Sequence, residues 1–453
     1  MVLRATGLNP ATEALMQWIQ QQADDRRDDY ELARRYYGGE HDTAITDRLK
    51  KFLPPRLAFR DNFMNVVVDS LSERLKVIGF NSEDEDFAEW AWNLWQQNRM
   101  DYTQVVVHTE AVMLGDSYIL CDWDQETERP RWTHQMPEMI LPHYNETNRQ
   151  IDWVSKKWIS HPHIGEEPET RLNLYYPDRG GVWAPYQDEL DEEWPVPWLD
   201  RAGAPLGIPL IHFRNRPMGN DFGQSEIINV IPMQDLLNKT LIDLTMILDT
   251  LAFPQRYTLN VNHNSSRLEI MPGSVAEFHS EYDGGSVGQW QAATVDGPLK
   301  AIESLVQHIA GTTRTPQHLF QIMGGAPSGE ALKTAESGLV NKVQQRMINY
   351  GNAWEDCLTM ALKIQAAFGS AITVMEDALL EATWDDPETR NEQSHMEALR
   401  IKSELGVSKH QIWRELGYSQ EQIDQMDEDG VSESAQQTNI GAEILRNFNA
   451  GEV

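Results

Sequence analysis

The sequence predicts an α+β fold that is mainly helical, and three observations carry that prediction. Apolar residues recur at helical spacing through 11–37, 62–75, 87–97 and 102–114, before the texture changes at Asp116. From Ser117 to Tyr176, short β-branched and aromatic runs alternate with Pro, Asn, Asp and Gly, which is strand-and-hairpin chemistry. Finally, a helical pattern of about forty residues follows the stretch Gly324-Gly325-Ala326-Pro327-Ser328-Gly329. At roughly 1.5 Å per residue it makes a rod on the order of 60 Å long.

Each element has a local cause. Leu15, Trp18, Ile19, Leu32 and Tyr36 give the first helix its face, and Gly38-Gly39 supplies a C-cap. Pro54-Pro55 breaks the chain. Phe63, Val67, Leu71 and Leu75 share one face of the next helix. The acidic stretch Ser82–Asp86 opens the Trp-rich helix Phe87–Gln97, and Tyr102–Leu114 stops at Gly115. Strands are expected at Ser117–Trp123, Trp132–Gln135, Gln150–Trp158 and Arg171–Tyr176. Residues 177–209, dense in Pro and acid, read as an irregular surface segment. A helix begins near Gln224 and recovers after Pro232, with Leu237, Leu241, Leu244 and Leu248 at helical spacing. Strand-and-turn chemistry returns over 253–297, with Arg256–Val261 followed by an Asn262-His263-Asn264-Ser265 turn. A short helix at Pro298–Ala310 precedes the loop and rod. Shorter helices and an acid-rich tail are expected beyond Gly369.

Composition narrows the function classes. The 453 residues are 40% hydrophobic, enough for a core and against wholesale disorder. Fifteen Trp, ten of them between Trp90 and Trp198, suit anchors in cores and subunit interfaces. The two cysteines, Cys121 and Cys357, lack metal-ligand spacing and fit a reducing compartment. No signal peptide is read in the polar residues 1–30, and no apolar run reaches the roughly 20 residues that span a bilayer. A net charge of −32 argues against a surface that grips nucleic acid, since grip requires cations that displace counterions. It leaves open a surface past which DNA slides.

Motifs for catalysis fail residue by residue. Gly324 and Gly329 have P-loop spacing, but Glu330 stands where the phosphate-binding Lys belongs and Ala331 where the Mg²⁺-binding hydroxyl belongs. Around His161-Pro162-His163 no Asp, Glu or Cys pattern completes a typical metal site. Neither Gly-x-Ser-x-Gly nor His-Glu-x-x-His occurs. Gly406–Met426 has helix-turn-helix rhythm, yet its second helix carries Glu421 and Asp424 and reads as a helical hairpin. No catalytic residue, cofactor or metal is assigned.

Several segments, in order, resemble the bacteriophage portal proteins of long-tailed phages of Gram-positive and actinobacterial hosts. They are Tyr36-Tyr37-Gly38-Gly39-Glu40-His41, Asn62–Phe80, His108-Thr109-Glu110-Ala111 with Gly115-Asp116-Ser117-Tyr118, and Ile208–Asn215. Ser225–Asn238, Phe253-Pro254-Gln255-Arg256 and Arg314-Thr315-Pro316 through Lys333 complete the set.

The resemblance implies an elongated subunit with wing, stem, clip and crown. It assigns 1–223 to the wing, 224–252 and 298–311 to the stem helices, and 253–297 to the clip. The tunnel loop falls at 312–329, the long helix at 330–369, and the crown and C-terminal tail at 370–453. It implies a non-enzymatic homo-oligomer, a dodecamer, at one capsid vertex of the virion, assembled in the host bacterial cytoplasm. Double-stranded DNA would pass through it without sequence specificity. Its partners would be terminase large subunit, head–tail adaptor, major capsid and scaffolding proteins, with no membrane. Channel residues expected on this basis are Arg314, Gln321, Met323, Gly324, Gly325, Pro327, Ser328, Gly329 and Lys333; Lys342 and Arg346 join them as further cations that could touch DNA. Docking residues expected in the clip are Asn260, Asn262, His263, Asn264 and Arg267. The alternatives are another head–tail connector ring or a nucleic-acid-processing enzyme of the packaging machine.

Overall fold

The computed structural model describes residues 10–42, 60–160, 169–183, 196–219, 221–252, 256–259, 286–289, 294–320, 329–370, 379–388, 400–406, 409–415, 423 and 425–426. Contacts divide the chain into two compact units, Met1–Pro327 with Thr334–Pro387, and Ser328–Lys333 with Glu388–Val453.

The first unit is built from helices that share one core with a small sheet. Helix α1 (Pro10–Tyr37) ends as its glycines dictate: Gly39 takes φ 80 and the amide of Gly38 bonds back to the Arg34 carbonyl at 2.9 Å. Helix α2 (Met64–Ser72) buries Val67 and Leu71, as its spacing predicts. Strand β1 (Val77–Ser82) precedes α3 (Glu85–Gln97), whose N-cap Asp84 accepts the Phe87 amide at 3.1 Å. Helix α4 (Met100–Leu114) stops at Gly115, where φ is 101.

Two antiparallel sheets follow. Strands β2 (Asp116–Asp124), β3 (Arg129–Gln135) and β9 (Leu210–Arg214) pair in the order β3-β2-β9. The second sheet takes β4 (Ile140–Tyr144), β5 (Ile151–Ser160), β6 (Glu169–Tyr175), β7 (Arg179–Trp183) and β8 (Val196–Pro197) in sequence order. The segment 177–209, expected to be irregular, thus contributes two short strands.

Helix α5 (Ile231–Ala252) and α6 (Asp296–Thr313) pack on each other and bracket β10 (Arg256–Leu259) and β11 (Ser286–Gln289), which pair antiparallel. Helix α7 runs from Gly329 to Phe368, 40 residues, matching the predicted rod. Strand β12 (Leu380–Trp384) then returns to pair antiparallel with β1, Val77 opposite Trp384. A strand stands where only shorter helices were expected.

Helix α7 supplies much of the core. Leu339, Val343, Tyr350, Trp354, Leu358 and Ile364 are buried in one cluster with Val67, Leu71, Val107 and Ala111. Trp354 meets Trp95 edge-on at 4.8 Å, and Phe213 at 4.5 Å. Such aromatic pairs add about 0.5–1.5 kcal/mol each beyond the area they bury. His108 lies within this cluster, its Nδ1 donating to the Leu75 carbonyl at 2.9 Å and its Nε2 accepting from Trp354 at 3.0 Å. Burial pushes its pKa down to about 4.

The second unit, as described, includes the first residues of α7 and the helix α8 (Lys409–Glu415). Most of the second helix of the predicted hairpin lies outside the described residues.

Candidate functional site

In the segment singled out by sequence, from Arg314 to Lys333, the structure describes Arg314–Phe320 and the start of α7, and specific contacts hold the chain near each. Where α6 ends, Thr313 donates its hydroxyl to the Ile309 carbonyl at 2.8 Å, and the Thr315 amide reaches the Ala310 carbonyl at 3.0 Å. Arg314 between them adopts φ 54 and is exposed, the left-handed residue that ends the helix. A 3-10 turn, Gln317–Phe320, sets Phe320 edge-on to Phe63 at 5.4 Å. On the far side, the buried Glu336 accepts from Arg74 at 3.2 Å and lies 3.2 Å from His318 Nε2. Lys342 donates to the Thr313 carbonyl at 2.8 Å, so α7 and the end of α6 are joined directly.

Behind this lies a buried ionic cluster. Arg346 reaches Glu226 at 2.6 Å and Asn215 at 2.6 Å, and Lys342 reaches Glu226 at 3.0 Å. Burial alone would raise the Glu226 pKa; Lys342 and Arg346 outweigh it and hold the carboxyl below its usual range. Burial lowers Lys342, with Glu226 opposing. Both basic side chains are under 7% exposed. They therefore serve the interior of the subunit, which corrects the expectation that they could touch DNA.

Two further clusters pin α1 to the start of β2. Asp116, fully buried, accepts from Arg26 at 2.6 Å, Tyr30 at 2.7 Å, His212 at 2.8 Å and the Gly223 amide at 2.7 Å. Burial would raise its pKa; the bond and charge of His212, then Arg26, bring it down. Tyr144 completes the chain at 2.6 Å from His212 Nδ1. Glu110 is held by Arg34, by His134 at 2.6 Å and by Ser117 at 3.1 Å. Sequence reasoning gave these three carboxylates no role, although all three lie in the segments that carry the resemblance. Their signal was weak: Glu110 and Asp116 flank a helix stop, and acid is abundant everywhere in the chain.

The chemistry of these clusters is anchoring. Each carboxylate is saturated by donors, and among the described residues no group of three His, Cys, Asp or Glu could hold a metal ion. No described helix is long and apolar enough to cross a membrane.

Of the expected channel residues, Arg314 is an exposed helix terminus, Gly329 opens α7, and Lys333 is half-exposed with its ammonium 3.9 Å from Glu388. Gln321, Met323, Gly324, Gly325, Pro327 and Ser328 lie outside the described residues. So do the clip residues Asn260, Asn262, His263, Asn264 and Arg267.

Among the described residues the chain mixes helix and strand: two packed helices bracket a pair of antiparallel strands, and a 40-residue helix follows. Residues 16–436 match the family model "Phage portal protein, SPP1 Gp6-like", and the chain belongs to that family. The portal protein of Mycobacterium phage D29 is 25% identical over 377 residues, covering 79% of this chain and 76% of its own. That of Mycobacterium phage L5 is 26% identical over 344 residues, covering 72% and 69%. Among solved structures, a chain in the neck of an empty GTA particle computed with C6 symmetry aligns over 79% of this chain and 90% of its own. Its TM-score is 0.44 and it is 11% identical.

Proposed function

We infer that this portal protein assembles into a closed ring, a dodecamer, at one vertex of the capsid. Double-stranded DNA enters and leaves through the ring. Its outer end docks the terminase large subunit during packaging and the head–tail adaptor afterwards, with capsid and scaffolding proteins around it. The observation that carries this reading is the order of elements within a chain of the portal family. Helices α5 and α6 pack together with the β10–β11 pair between them, and α7 follows them in sequence. In this reading α5 and α6 are the stem, 253–297 the clip, and 312–329 the tunnel loop. Because β12 pairs with β1, we place 370–387 with the wing and keep the crown for 388–453.

The chain itself is not an enzyme in this reading; the motor is a separate ATPase. The loop offers Arg314 and Lys333 to the phosphate backbone, contacts that position DNA without reading sequence. Asn260, Asn262, His263, Asn264 and Arg267 serve docking at the clip.

Electron microscopy of purified protein, with mass measured in parallel, tests the ring. Closed rings with a hole wide enough for duplex DNA are the expected result. Monomers under every condition, including co-expression with scaffold and capsid protein, would overturn it. Metal-dependent nuclease or ATPase activity in the pure chain would favour the enzyme reading instead.

A further inference from the structure

The exposed face of α7 between Thr334 and Asn352 carries no charge. In this span the three charged residues, Glu336, Lys342 and Arg346, are all buried. What faces outward is Gly338, Asn341, Gln344, Gln345, Ile348 and Asn352, spaced by three or four residues along one side. Ile348, at the centre, is 66% exposed. At roughly 1.5 Å per residue this is a strip nearly 30 Å long, on a chain whose formal charge is −32.

Gly338 adds an independent observation. A glycine inside a helix costs about 1 kcal/mol relative to alanine. At the other mid-helix glycine, Gly351, a Cβ would touch Trp384 at 3.4 Å and Ala382 at 3.9 Å, so β12 of the same chain already occupies the space beside it. At Gly338 a Cβ would meet nothing within 4 Å, and the backbone there is ordinary helix. Among the described residues nothing calls for a missing side chain at that point. Close approach by another chain does.

We propose that this strip is a contact surface for a second copy of this chain, which seats backbone or a small-residue helix face over Gly338 and covers Ile348. The charge pattern selects that occupant. Copies carrying the same large negative charge repel wherever their acidic surfaces face each other, so they approach best across a surface without charge. A basic partner would gain nothing from an uncharged strip. The proposal rests on the ring reading given above and specifies one of the two unlike faces that a head-to-tail ring requires.

The test uses the full chain. Gly338→Leu and Gln344→Glu are compared with wild type for ring yield by electron microscopy and sedimentation velocity, and for thermal unfolding of the unassembled subunit. Leucine is the better helix former, so Gly338→Leu is expected to leave subunit Tm unchanged or higher while ring yield falls at least ten-fold. Gln344→Glu, which adds one exposed charge, is expected to lower ring yield with Tm intact. A maleimide on Gln344→Cys should react at least ten-fold more slowly in rings than in free subunits. Rings formed at wild-type yield by both variants, with the residue 344 thiol equally reactive in both states, overturn the inference and leave the ring reading standing. Absence of rings from wild type in every condition overturns both.

Discussion

At the scale of single residues, the structure turns cations that the sequence offered to DNA into internal fasteners. The spacing held the clue: Lys342 and Arg346 are i+3 from Leu339 and Val343, which places them on the core face of α7. Two buried cations share the single carboxylate of Glu226, with the half-buried Arg216 a third at 4.0 Å, so the order of damage is set. Glu226→Gln strands both buried cations and is expected to cost about 3–5 kcal/mol of subunit stability. Lys342→Met keeps the Arg346–Glu226 pair and should cost clearly less; urea unfolding of both variants measures the difference. Equal losses would mean that Glu226 is not the hub. His108 gives a pH prediction. Its pKa is pushed from 6.5 to about 4 by burial, so the unfolded chain takes up a proton between these values that the folded chain refuses. Stability from this group is complete above pH 6.5 and declines as pH falls toward 4. At about 1.36 kcal/mol per unit, the loss is about 3 kcal/mol. His108→Gln can keep both hydrogen bonds, to Leu75 and Trp354, without titrating. Its unfolding free energy should therefore fall less steeply across that window, measured in urea at fixed ionic strength.

At the scale of elements, helices were legible and long-range strands were not. Periodicity places α1, α2, α4 and α7 because each carries its own apolar face and its own stop signal. Strand β1 goes unread because Gly79 interrupts its alternation, and its partner β12 lies some three hundred residues away, beyond any local pattern. Strand β4 contains Pro142, which argues against a strand; it survives because β4 is the edge of its sheet. Ile208–Asn215 was visible as a motif, but only the fold shows why it matters. Asn215, just past β9, joins Arg346 to the crossing where α4 ends. That crossing yields a third prediction. At Gly115 a Cβ would lie 2.9 Å from the Gly223 carbonyl group, and at Gly223 a Cβ would sit 2.7 Å from both the amide and the carbonyl of Asn215. All these neighbours are backbone and cannot rotate away. Gly223→Ala is expected to cost more than about 4 kcal/mol, or to leave no soluble protein. Gly297→Ala, in open space inside α6, should be neutral or stabilise by up to about 1 kcal/mol. Thermal unfolding of the two variants side by side checks the contrast, and a well-folded Gly223→Ala protein would show that the crossing yields.

At the scale of the whole molecule, charge governs association. Each copy carries −32, and the proposed ring would bring many copies within a few nanometres of one another and of DNA. Repulsion between exposed charges reaches about 30 Å at 0.01 M salt and about 8 Å at 0.15 M. If copies meet through uncharged surface, salt removes only the opposing term, so ring yield should rise as salt increases over that range. Contacts built on exposed ion pairs would behave in the opposite way, because salt would screen the attraction itself. The same charge acts on DNA. A duplex gains affinity only where cations displace its counterions, and the acidic chain offers few, so the free subunit should bind non-specific duplex more weakly than about 10⁻⁴ M at 0.15 M salt. Sedimentation velocity across a salt series, with a mobility-shift titration of linear duplex at the upper end, reads both quantities from one preparation. Rings that dissolve as salt rises would place ion pairs at the subunit contact and remove the charge argument for an uncharged seam. Tight duplex binding by single subunits would mean that local basic surface outweighs the net charge, and that DNA is gripped by the subunit before any channel forms.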